Sequence, residues 1–125
     1  MARIFCEEDC GNAPKKAILR DFNIAIANKD LDYLLEWISD DVVWNKVGQS
    51  TATGKAQVAD AFREIVPAEE LVIESIITHG WHASAHGTLL MPDGAKYAYC
   101  DVYKFKGAAR NSKIKSITSY VIQVH

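Results

Sequence analysis

At 125 residues, with 49% hydrophobic and 24% charged side chains, the chain has the size and composition of one globular domain that buries a core without disulfide or metal staples. Its formal net charge of −2 argues against a nucleic-acid binder driven by phosphate neutralisation, and no apolar run approaches the ~20 residues needed to span a bilayer. The N-terminal segment carries Arg3 and an acidic cluster at Glu7, Glu8 and Asp9, the reverse of a secretory signal, so the expected location is the cytoplasm.

Residues 1–12 read as a leader without regular structure, followed by a single domain over 13–125. Cys6 and Cys10 stand in a C-x-x-x-C spacing that matches neither the redox C-x-x-C nor half of a zinc site. From Pro14 to Asn28, apolar residues at Ile18, Phe22, Ala25 and Ile26 fall on one face of an amphipathic helix, with Pro14 suited to the first turn. A second helix is expected over Leu31 to Ile38, with Leu31, Leu34, Leu35 and Ile38 as its stripe and Asp30 as its N-cap. Asp41 to Val47 reads as a short strand. Gly54 then introduces a third helix with Val58, Phe62 and Ile65 inward, ended by Pro67.

Four β-rich segments follow: Leu71 to Thr78, Trp81 to Met91, Ala95 to Phe105 and Ile114 to Val124. The turn signals between them, His79-Gly80, Pro92-Asp93-Gly94 and Gly107 to Asn111, sit at hairpin spacing and predict an antiparallel meander. Helices first and strands afterwards indicate an α+β domain. Along Tyr97 to Phe105 one face carries Tyr97, Tyr99, Asp101, Tyr103 and Phe105, and the other Ala98, Cys100, Val102 and Lys104. Both faces are substantially apolar. A sheet wet on one side alternates more cleanly, so a second subunit is expected over the outer face, giving a homodimer.

The stretch from Asp21 to Gly54, the helix after it, and CDVYKF followed by IKSITSY together resemble the nuclear transport factor 2-like superfamily, in the style of its small SnoaL-like or polyketide-cyclase-like bacterial proteins. The resemblance covers nearly the whole chain after Gly11 and implies a cone: a strongly bent, mostly antiparallel sheet wrapped around helices, with a pocket at its wide end. A shared fold does not settle the activity. Ketosteroid isomerase, one member, uses a carboxylate base with a tyrosine and a protonated aspartate that hold an oxyanion. By resemblance the base position falls on Lys46, the tyrosine on Phe22 and the aspartate on Asp101, so one of those three chemistries is retained. Limonene epoxide hydrolase, another member, bridges two carboxylates with an arginine, and the meander offers no inward arginine, since Arg110 falls in a loop.

Asp101 is therefore the candidate acid, base or hydrogen-bond donor, set among aromatic residues that would desolvate it. The alternative is a buried aspartate that keeps the strands in register. Trp44, Lys46, Tyr99, Tyr103, Phe22 and Ser119 complete the candidate ligand-binding set. Lys46 has four readings: an ion pair with Asp101, an anion contact, a base with a lowered pKa, or a rim residue with only its stem buried. No metal is expected, because His82 and His86 on one strand stand about 13 Å apart. No glycine-rich phosphate loop is present, so no cofactor is expected either. The function expected is binding of a small, largely apolar ligand with acid–base chemistry of the isomerase, cyclase or dehydratase type. The alternative is a dimeric scaffold whose cone is filled by its own side chains.

Overall fold

The computed structural model describes residues 1–7, 10, 11 and 13–125. Among these residues the chain runs β1 (Arg3–Cys6), α1 (Pro14–Asn28), α2 (Leu31–Glu36), β2 (Ile38–Lys46), β3 (Ser50–Thr53), α3 (Lys55–Arg63), β4 (Glu70–His79), β5 (His82–Leu90), β6 (Lys96–Phe105) and β7 (Ile114–Val124). The strands form one sheet in the order β1-β4-β5-β6-β7-β2-β3. The expected meander occupies its centre, with β4, β5, β6 and β7 paired antiparallel in sequence order.

Helix α1 supplies the core with Leu19, Phe22 and Ala25 from one stripe, and Ala27 seals its C-terminal end. Lys29, in the left-handed region at φ 57°, stops it and turns the chain into Asp30, whose side chain accepts from Tyr33 N–H as the cap of α2. Gly54 caps α3 at φ 86°, a backbone conformation that favours glycine. Val58 and Phe62 of α3 are buried, and Phe62 meets Phe22 edge-on at 6.4 Å and tilts against Trp44 at 5.1 Å. Lys15, in the first turn of α1, reaches the far end of the meander. Its ammonium donates to the carbonyls of Gly80 (2.7 Å) and Gly107 (2.9 Å) and lies 4.7 Å above the Phe105 ring.

Three features differ from the sequence expectation. The leader contains a strand: β1 pairs parallel with β4 from Arg3↔Glu70 to Cys6↔Ile73. Four residues are too short to display a period, and this strand draws its order from the edge of β4 rather than from its own pattern. Part of the acidic cluster, at positions 8 and 9, lies outside the described residues. The second helix ends at Glu36, and Ile38 begins β2 opposite Ile114, because partners distant in sequence override the helical stripe. The polar segment Ser50–Thr53 forms the edge strand β3 against β2. The sheet is consequently mixed, with parallel pairing at β1–β4 and β2–β7. Among the described residues, no helix is long and apolar enough to cross a membrane.

Candidate functional site

Strand β6 faces the helices with Tyr99, Asp101, Tyr103 and Phe105, all buried, as the side-chain alternation predicts. Opposite them β5 presents small residues: Tyr99 faces Gly87, Asp101 faces Ala85 and Tyr103 faces Ala83. Each bulky or polar side chain of β6 is thereby given room on the inner side of the sheet. At Gly87 the backbones close up. A Cβ there would stand 1.8 Å from the Val72 carbonyl oxygen, next to the register shift between Ile73 and Ser75 on β4. Glycine at this position lets β4 and β5 bend together.

That bend leaves a cavity of about 600 Å³, within the range of small-molecule sites. Ile26 of α1, Ile65 beyond α3, Leu71, Leu89, Met91 and Tyr97 form its apolar wall. Asp101, Ser119, Tyr99, Trp44, Lys46 and Asn23 bring polar atoms to it. In the register of the sheet, Lys46 on β2, Ser119 on β7 and Asp101 on β6 lie in one row across three neighbouring strands.

The polar groups form a directed network. Trp44 Nε1–H donates to Ser119 Oγ at 2.9 Å, and the Ser119 hydroxyl stands beside the Asp101 carboxyl across the β6–β7 pair. From the other side Asn23 Nδ2 donates to the Leu19 carbonyl (2.7 Å) and to the Tyr103 hydroxyl (3.2 Å), which itself donates to Asp101 Oδ2 (3.3 Å). Asp101 is only 7% exposed. Desolvation pushes its pKa up from 3.8 to about 6, against the opposing pull of the hydrogen bonds from Ser119 and Tyr103. Burial together with the nearby Asp101 charge raises the Tyr99 and Tyr103 phenols as well, so both stay protonated donors. The Tyr99 hydroxyl is buried with no hydrogen-bond partner among the described residues.

Five of the seven sequence candidates line the cavity: Asp101, Trp44, Lys46, Tyr99 and Ser119. Phe22 and Tyr103 do not. Phe22 is fully buried between Phe62 and Tyr103, meeting the Tyr103 ring edge-on at 6.1 Å. Tyr103 lies one inward position beyond Asp101, about 7 Å farther along the strand, and is packed beneath the floor. Lys46 makes no ion pair with Asp101. Its ammonium lies 4.9 Å over the Trp44 ring. Cys100 is on the opposite face, as the alternation requires. Asn23 was missed by sequence reasoning, which fixed on its neighbour Phe22. The available signal was an asparagine on the buried side of an apolar helix, where it lowers helix propensity and requires a partner.

Three comparisons bear on this site. The sequence profile of the SnoaL-like domain matches residues 19–116. A search of curated proteins found no match. Among solved structures, an NTF2-like protein of unknown function from Cytophaga hutchinsonii ATCC 33406 is 26% identical with a TM-score of 0.68, covering 85% of this chain and 97% of that one. An M. tuberculosis LEH-like epoxide hydrolase is 22% identical, with a TM-score of 0.72 and coverage of 87% and 83%. SalBIII, an epoxide hydrolase/cyclase-like enzyme of pyran ring formation in salinomycin, is 18% identical, with a TM-score of 0.70 and coverage of 86% and 90%. At these identities the last two share the fold, and the chemistry has to be judged from this chain's own residues.

Proposed function

The chain belongs to the SnoaL-like domain family, and from that premise we propose that it binds a small, largely apolar organic molecule in the cavity above Asp101, where this carboxyl exchanges a proton with the ligand. The observation that carries the reading is the carboxyl itself: buried at the floor of a cavity of about 600 Å³, with its pKa raised to about 6. Such a group is divided between acid and base near neutrality, as acid–base chemistry requires. Tyr103 donates to it and the Ser119 hydroxyl stands beside it with its acceptor taken by Trp44, so the proton of its acid form is directed to the cavity and to an acceptor on the ligand.

Epoxide opening by a carboxylate pair bridged through arginine does not fit, because no arginine lines the cavity among the described residues. The isomerase arrangement does not fit either, with Lys46 where the base would stand and Phe22 buried in the core. Isomerisation, cyclisation or dehydration assisted by one carboxyl remains the consistent class. The filled-cone alternative accounts for the lower part of the barrel-like interior, where Phe22, Tyr103 and Phe105 pack solidly, and leaves the space above Asp101 unaccounted for. We also propose that the protein is a cytoplasmic homodimer. Val102, Tyr120 and Ile122 on the outer sheet face are 42%, 47% and 67% exposed in the single chain, an apolar strip suited to a second copy.

Binding is tested by titrating the neutral apolar probe N-phenylnaphthylamine into protein labelled with ¹⁵N at tryptophan. The Trp44 indole N–H, fixed to Ser119 at the cavity wall, is expected to shift while the exposed Trp81 stays in place. A titration that leaves Trp44 unmoved refutes the binding reading.

A further inference from the structure

Among the described residues three charged side chains line the cavity: Asp101 at the floor, and Lys46 and Asp93 nearer the loops that border it. Two of them are already engaged. Asp101 takes a hydrogen bond from Tyr103 and has the Ser119 hydroxyl beside it. Asp93 accepts the backbone N–H of Ala95 at 2.9 Å within its own turn. Lys46 differs, because its ammonium is held over the Trp44 ring with no carboxylate within ion-pair distance among the described residues. The platform beneath it is rigid, since Trp44 is 7% exposed, hydrogen-bonded to Ser119 and packed on Phe62. A cation fixed on an apolar wall, without a counter-charge, focuses a positive potential into the adjoining low-dielectric space.

We propose that the ligand is an amphipathic organic acid, a molecule whose carboxylate rests against Lys46 while its apolar body fills the cavity towards Asp101. This deepens, and rests on, the reading of the cavity as a ligand site. The geometry sets the spacing. Lys46 and Asp101 are separated by Ser119 in one row across the sheet, two strand spacings or about 10 Å between backbones. A ligand that spans the row places its anion at one end and a hydrogen-bond acceptor at the other, where the Asp101 acid proton meets it. The wall between them, Ile26, Leu71, Leu89 and Tyr97, offers apolar contact to the body of the molecule. A cationic ligand would be repelled by Lys46, and a neutral one would leave the ammonium without a partner. The carboxyl at the floor stands two strand spacings, about 10 Å, from the ligand's anion, so its ionised form opposes that charge only weakly.

The test uses two dyes of one skeleton on the full chain: anionic anilinonaphthalene sulfonate and neutral N-phenylnaphthylamine, titrated by fluorescence at fixed salt. Wild type is expected to bind both, with the anionic dye favoured. Lys46→Gln should weaken the anionic dye about tenfold, the effect of losing one charge-assisted contact, and leave the neutral dye within about threefold. Lys46→Arg, which keeps the charge, should restore the anionic preference. An unchanged ratio of the two affinities in Lys46→Gln overturns the inference while leaving the cavity reading intact. Val121→Trp, placed at the cavity wall, should block both dyes in a protein that still unfolds cooperatively. If both dyes still bind to it, they bind elsewhere, and that outcome overturns the cavity reading and this inference together.

Discussion

Asp101→Asn should change the pH dependence of stability in a defined direction. In the folded chain the carboxyl titrates near 6 rather than 3.8, chiefly because burial penalises its charged form. The native state therefore holds this proton more tightly than the unfolded chain. A raised folded pKa means that the stability contributed by the neutral acid is fully present below the unfolded value, and is lost as pH rises through the folded value. The full excursion corresponds to about 3 kcal/mol, of which about 2 kcal/mol falls between about pH 4 and about pH 8. Asparagine keeps the shape and the acceptor oxygen for Tyr103 and carries no proton equilibrium. Urea unfolding of both proteins across that range isolates the effect, since other titrations cancel in the difference. Wild type should lose about 2 kcal/mol relative to Asp101→Asn on going from the acid to the alkaline end, flattening above about pH 7. A difference constant to within about 0.5 kcal/mol, or one that grows in favour of wild type with pH, would refute the claim that Asp101 is desolvated in the native state.

Gly87→Ala tests the bend that opens the cavity. Its Cβ would meet the Val72 carbonyl oxygen at 1.8 Å, and because the obstacle is backbone the expected cost is about 3 kcal/mol or more, read as a lowered denaturation midpoint. An alanine variant of unchanged stability would show that β4 and β5 do not close up there. Ile122→Glu tests the outer face: sedimentation should give a dimer for wild type and a monomer for the variant, with cooperative unfolding retained. Wild type sedimenting as a monomer at about ten times the concentration needed for a standard-sized interface would rule the dimer out.

The legible parts of this chain are those in which local pattern and tertiary role coincide. The four meander strands announce themselves through turn residues, and the alternation in Tyr97 to Phe105 places Asp101 inward because period-2 geometry leaves no other face. Helix α1 is readable from its stripe, and the cap at Asp30 from chemistry alone. Elements that owe their order to distant partners were not readable. β1 exists because β4 has an open edge, and Ile38 is a strand residue because Ile114 lies beside it. Phe22 and Tyr103 were assigned to the cavity because a face identifies direction but not depth. Which inward side chain meets open space depends on where the sheet bends, and that depends on a backbone approach at Gly87 and a register shift on β4 that carry no sequence period.

The polarity of the network follows from where each donor begins. An indole N–H and an amide N–H are donors that cannot be reversed: Trp44 has no acceptor to offer, and Asn23 has its amide fixed on the Leu19 carbonyl. Ser119 and Tyr103 each accept one of these hydrogens, which leaves their own free to turn to Asp101, as the Tyr103 hydroxyl does at 3.3 Å. Two fixed ends thus impose a direction on two rotatable hydroxyls, and the carboxyl becomes the point where both chains terminate. A carboxylate at that point is stabilised from two sides, which limits how far burial can raise its pKa. A carboxylic acid there finds its protein acceptors already occupied as donors and presents its hydrogen to the cavity. The same residues therefore hold Asp101 near the balance of its two forms and, in the proposed role, direct the form that can donate.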